Sequence, residues 1–126
     1  MAKHILVMDD EYYMLSSTKE LLEKAGYRVS CFDTSQKALD ALKHKKFDLL
    51  ILDIMMPDIS GWEVFSRVKL ANSKQKIIFV SVLDLTPERK KELDDYGLAE
   101  YITKPFDRAV LIDRVKTMLN DDNKET

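Results

Sequence analysis

Short apolar runs alternate along the chain with longer segments in which apolar residues return every three or four positions. The runs at 4–8, 28–32, 48–52, 76–82 and 100–103 predict strands, and the segments near 11–25, 35–45, 61–72, 87–96 and 108–120 predict helices. In the first helix Leu15, Leu22 and Ala25 keep to one face, with Thr18 and Leu21 beside them. In the last, Leu111, Val115, Met118 and Leu119 form a stripe. Thr34 and Asp107 stand where N-caps belong, and Gly26 and Gly97 where helices stop.

Strict strand–helix alternation predicts an α/β fold: a doubly wound parallel sheet of five strands, with five helices on its two faces and right-handed crossovers. The runs at 5–8 and 49–52 are apolar without alternation, which suits central strands. The second and fifth are shorter or more polar, as edges are. No repeat, linker or low-complexity tract interrupts residues 1–120, expected to form one domain, and the polar tail 121–126 is expected to fray. Met1 stands directly before the first strand, as at a natural start.

Composition narrows the class. A chain of 126 residues is one domain's worth and buries roughly two-thirds of its unfolded surface. With 45% hydrophobic and 33% charged residues it reads as a soluble globular protein. Twenty basic against 22 acidic side chains leave a net charge of −2, so direct nucleic-acid binding is not expected. No run of about 18 apolar residues suggests a membrane span, and no signal peptide is evident. The lone Cys31, set among alternating apolar residues, reads as core packing in a cytoplasmic protein.

Candidate chemistry collects at strand ends, where open parallel sheets bind their ligands. The first strand ends at Asp9, Asp10 and Glu11, the third at Asp53, the fourth at Ser81 and the fifth at Lys104. Each alone has a plain explanation: a helix cap for Asp9 or Asp10, a turn for Asp53, a small strand residue in Ser81, a solvated charge in Lys104. Their convergence on one edge is what points to a site. Two carboxylates about 4 Å apart repel by roughly 4 kcal/mol at an effective dielectric of 20, so a cation is expected among them. Oxygen donors suit Mg²⁺ rather than Zn²⁺. His4, opening the first strand, and His44, in a lysine-rich helix end, read as structural.

The stretches ILVMDDE, LLILDIMMPDISGWE, IIFVSV and EYITKPF together resemble the response-regulator receiver domains of two-component signalling, over nearly the whole chain. The resemblance implies a flavodoxin-like sheet of order 2-1-3-4-5 and a phosphorylation-activated switch rather than an enzyme acting on other substrates. It implies that Asp53 is the phosphoacceptor. Asp10 matches a direct Mg²⁺ (or Mn²⁺) ligand, Asp9 one acting largely through water, and Met55 a ligand through its backbone carbonyl. Ser81 and Lys104 match the groups contacting the phosphoryl, and Ser81 with Tyr101 the switch pair. Pro57 and Gly61 match the turn after the acceptor strand, and the Lys104–Pro105 bond one often cis.

The implied partners are a histidine kinase or histidine phosphotransfer protein and a downstream protein on the face 87–120. The chain is thus expected to be a stand-alone receiver or the first domain of a longer protein. Two features depart from the family pattern. Val82 follows Ser81 where Ala or Gly is usual, narrowing access to the acyl phosphate. The stretch from Ser81 to Lys104 is about one residue longer, assigned to the loop 83–87.

Other readings fare worse. A phosphatase of haloacid-dehalogenase type needs a second aspartate two residues after the nucleophile, where Met55 stands. A flavin module needs a phosphate-binding loop after the first strand, where Asp9, Asp10 and Glu11 repel phosphate.

Overall fold

Side chains alternate between the two faces of a strand, so a strand that is apolar throughout must be covered on both sides. The computed structural model, which describes residues 2–120, shows this. The elements in order are β1 (His4–Met8), α1 (Tyr12–Lys24), β2 (Arg28–Phe32), α2 (Ser35–His44), β3 (Leu49–Leu52) and α3 (Gly61–Ala71). There follow β4 (Ile77–Ser81), α4 (Pro87–Tyr96), β5 (Ala99–Thr103) and α5 (Arg108–Leu119). The strands form one parallel sheet of order β2-β1-β3-β4-β5, with the apolar β1, β3 and β4 inside and β2 and β5 at the edges. The tail 121–126, expected to fray, lies outside the described residues.

Two cores follow from the alternation. Leu6, Met8, Leu50, Leu52, Ile77 and Phe79 pack with Ala38 of α2, Val64, Phe65 and Val68 of α3, and Leu93 of α4. Ile5, Val7, Leu49, Ile51, Ile78 and Val80 pack with Leu22 of α1 and Leu111, Val115 and Leu119 of α5. Buried aliphatic and aromatic side chains of this size each stabilise the fold by about 1.5–3 kcal/mol.

Thr34 and Asp107 hold the N-cap positions the sequence suggests, though only Thr34 caps with its side chain. Thr34 accepts from the Lys37 N–H at 3.1 Å, and α4 stops at Gly97 in the left-handed conformation (φ 79°). Asp107 occupies the N-cap of α5 but makes no side-chain capping bond; its carbonyl alone accepts, from Val110 and Leu111. For α1 the cap is Glu11 rather than Asp9 or Asp10, its carboxylate accepting from Tyr13 and Met14. Neither aspartate caps the helix; Asp9 Oδ1 accepts from the Glu11 N–H, at 2.9 Å. Cys31 is half-buried with its thiol toward the Leu15 carbonyl, and burial pushes that thiol up in pKa, in keeping with packing.

Candidate functional site

Register brings the chemistry together. Met8 is paired with Leu52, and the next N–H of β3's chain, that of Asp53, donates to the Met8 carbonyl at 3.0 Å. Asp9 and Asp53, each one step past its strand, therefore stand side by side. On the other half of the sheet Ser81 is paired with Thr103, and the Lys104 N–H donates to the Ser81 carbonyl at 2.7 Å. The Lys104 ammonium then reaches across the sheet end to Asp53 Oδ2 at 3.0 Å and Asp9 Oδ2 at 2.8 Å. Its two partners lie 51 and 95 positions away in the chain.

Asp9 and Asp53 are buried at 4% and 6% exposure, while Asp10 is exposed at the mouth. One oxygen from each of the three lies within 4.8 Å of the others. At that separation Asp9 and Asp53 alone repel by about 3.5 kcal/mol at an effective dielectric of 20. Burial raises the Asp9 carboxyl in pKa, opposed by the hydrogen bonds from Lys104 and the Glu11 N–H. For Lys104 burial disfavours the charge, but its bonds to Asp9 and Asp53 outweigh that, and its pKa is raised. The ammonium therefore stays protonated, one positive charge among three carboxyl groups. An all-oxygen cluster of this kind fits a hard divalent cation such as Mg²⁺.

The remaining expected residues fall around this centre. The Met55 N–H donates to Asp53 Oδ1 at 3.1 Å, while its side chain is exposed. Ser81 is fully buried, with its hydroxyl accepting from the Leu83 N–H at 3.4 Å. Tyr101, on edge strand β5, donates its hydroxyl to the Leu83 carbonyl at 2.6 Å, and its ring stacks on Trp62 at 6.3 Å. Gly61 opens α3 so close to the end of β3 that a Cβ there would lie 2.2 Å from the Asp53 carbonyl oxygen. Pro57 is exposed in the same loop, and the Lys104–Pro105 bond is cis. Val82 is 60% exposed beside Ser81. His4 is engaged by Ser30 and Phe47, away from the cluster.

Sequence reasoning missed two neighbours. Asp58 bonds the first turn of α2, and Arg89 covers the Trp62 ring at 4.4 Å. Neither leaves a periodic signal; along the chain each is one charge among many, and its partner is set only by the fold.

The geometry agrees with what the chain resembles. A family model described as the response regulator receiver domain matches residues 5–116. The transcriptional regulatory protein CrdR of Helicobacter pylori is 34% identical over 97% of this chain and 57% of its own length, so the chain spans little more than half of that relative. A CheY-like receiver domain protein from Methanospirillum hungatei superposes with a TM-score of 0.87 at 30% identity, each chain fully covered. The Thermotoga maritima response regulator TrrA, in complex with Mg²⁺ and beryllium fluoride, superposes at 0.80 with 33% identity, over 93% of this chain and 99% of that one.

Proposed function

Since the chain belongs to the response regulator receiver domain family, whose members are phosphorylation-activated signalling switches, we propose that Asp53 is its phosphoacceptor. The observation that carries this is the Lys104 ammonium bonded to both Asp9 and Asp53 at the end of the sheet. It supports a site built to take up a dianionic group beside a carboxylate nucleophile.

An Asp53 carboxylate oxygen attacks the phosphorus of a phosphohistidine on a histidine kinase or phosphotransfer protein. The N–P bond breaks, its electron pair stays with the imidazole, and an acyl phosphate forms on Asp53. Asp9, Asp10 and Asp53, with the Met55 carbonyl, would hold Mg²⁺ (or Mn²⁺), which supplies positive charge to the phosphoryl oxygens when bound. Lys104 moves from pairing carboxylates to pairing a phosphoryl oxygen, a task that suits a compact point charge. Ser81 turns its hydroxyl to the phosphoryl group, and Tyr101 follows by changing position on β5. Pro57, Gly61 and Pro105 shape the loops around them. Attack by water on the acyl phosphate releases inorganic phosphate and resets Asp53, so self-phosphorylation and self-dephosphorylation are the chain's own chemistry.

The output is a remodelled face across 87–120 that a downstream protein reads, in the cytoplasm, without direct nucleic-acid or membrane contact by this domain. No described helix is long and apolar enough to cross a membrane. The phosphatase alternative gains nothing: the position two residues after Asp53 is Met55, an exposed thioether.

Incubation with acetyl phosphate and Mg²⁺ should give one phosphoryl adduct by intact mass, absent from Asp53→Asn. An adduct that survives this change unaltered overturns the assignment.

A further inference from the structure

The loop 54–60 that follows Asp53 is held from a direction the strand ends do not suggest. Asp58 places both carboxylate oxygens on the first turn of α2: the Ser35 N–H donates to Oδ1 at 3.1 Å and the Gln36 N–H to Oδ2 at 2.9 Å. The fully buried Ser35 returns a bond, its hydroxyl donating to the Ile59 carbonyl at 2.6 Å. Helix α2 has its own cap without Asp58, since Thr34 accepts from Lys37. The second cap therefore serves the loop as much as the helix.

The other end of the loop is tied to the site. The Met55 N–H bonds Asp53 Oδ1, and the Met56 and Gly61 N–H groups both donate to the Ile54 carbonyl at 3.1 and 2.9 Å. Between these ties and Gly61's close approach to Asp53, the Asp58 clamp, with the Ser35–Ile59 bond beside it, fixes the loop's outer turn onto α2. Exposed N–H groups at a helix N-terminus favour a carboxylate, and a charge-assisted bidentate contact resists sliding.

We propose that Asp58 is a positioning residue for the metal and phosphoryl site: by clamping loop 54–60 onto α2 it holds Met55 against Asp53. This rests on the assignment of Asp53 and Met55 above. The Gln36 N–H, followed by that of Ser35, outweighs the cost of desolvation and holds the Asp58 carboxyl down to about 2, so the clamp stays charged throughout the neutral range. Preorganised neighbours of this kind set how well first ligands hold a metal.

The test compares wild type with Asp58→Ala, Asp58→Asn and Thr34→Val. It uses calorimetric titration with MgCl₂, and amide hydrogen exchange at Met55 and Met56 in the metal-free protein. Asp58→Ala should weaken Mg²⁺ about ten-fold and speed exchange at both amides. Asp58→Asn, which keeps one acceptor oxygen, should fall between, and it decides the matter if Asp58→Ala does not fold. Thr34→Val removes the helix's own cap without touching the loop; it should lower Tm yet bind Mg²⁺ as wild type does. If the Asp58 variants lose Tm but keep wild-type Mg²⁺ affinity and exchange, Asp58 is only a helix cap and the positioning role is overturned. A wild type that does not bind Mg²⁺ overturns the site assignment itself, a different result.

Discussion

Lys104 joins Asp9 to Asp53 with almost no exposure of any of the three, so its removal acts on stability and chemistry at once. Lys104→Ala leaves Asp53, the proposed nucleophile, in place but takes away the charge proposed to favour the transferring group. Labelling by acetyl phosphate should slow by about 10²-fold without vanishing, read as the rate of adduct formation by mass. A wild-type rate would remove Lys104 from the chemistry. Two carboxylates should also titrate in opposite senses. Burial raises Asp9 above its ordinary 3.8, so the folded chain holds this proton more tightly than the unfolded chain. Its contribution to stability therefore declines as pH rises from 3.8 through the raised value. Asp58 is depressed to about 2; its contribution is complete above 3.8 and is lost as pH falls through about 2. In metal-free melts at pH 7, Asp9→Asn should be more stable than wild type and Asp58→Asn less stable. Both gaps should close in acid; gaps that do not change between neutral and acid pH contradict this linkage.

Among the helices α4 stands apart. Only Leu93 of its ten residues is fully buried, with Tyr96 at its end packed against Phe65 at 5.1 Å, and the rest of its attachment is polar. Glu92 pairs with Lys69 of α3 at 3.3 Å and with Arg89 at 2.9 Å, and Arg89 lies over Trp62, which in turn stacks on Tyr101. Partly exposed pairs and cation–π contacts of this sort contribute about 0.5–1 kcal/mol each, whereas the Leu93 side chain is a core contact. Arg89→Ala should therefore cost about 1 kcal/mol and shift Trp62 emission, while Leu93→Ala should cost about 2–4 kcal/mol. Denaturant melts of both variants measure the ratio; equal losses would mean that α4 is not held in this way. An element held weakly along its length is one that a modest change at Tyr101 can displace. The start of α3 is the opposite case. Gly61→Ala drives a Cβ into backbone, and overpacking of this kind costs about 1–3 kcal/mol or more, with Asp53 pushed from its place. Its Tm should fall and its phosphorylation rate with it.

Across the whole molecule, the site at one end of the sheet and the face made by α4, β5 and α5 are joined through the 82–86 loop. Ser81 accepts from the Leu83 N–H while Tyr101 donates to the Leu83 carbonyl, so one residue of that loop is shared by both. Drawing Ser81 toward a phosphoryl group changes one of these bonds and bears on the other. Shifting most of the population between two such arrangements takes a differential of a few kcal/mol, within reach of one dianionic group. Beryllium fluoride with Mg²⁺ should thus move backbone NMR signals across α4, β5 and α5 as well as around Asp53. Shifts confined to the active-site loops would show that Tyr101 does not carry the signal.

The alternation of short apolar runs with amphipathic segments was enough to place five strands and five helices within a residue or two, because burial on one face or two is written locally. The same local reading located Asp9, Asp10, Asp53, Ser81 and Lys104, since each lies at or just past the end of an apolar run. The order of the strands came with the resemblance, because periodicity says nothing about which strand lies beside which. The tertiary structure alone decided which of these groups touch. It set Lys104 on Asp9 across 95 positions, left Asp107 without a side-chain cap, and carried Asp58 to a helix more than twenty residues upstream. Such contacts depend on register, loop path and side-chain reach, which exist only once the sheet has formed; along the chain itself, Asp58 is one more charge after a proline.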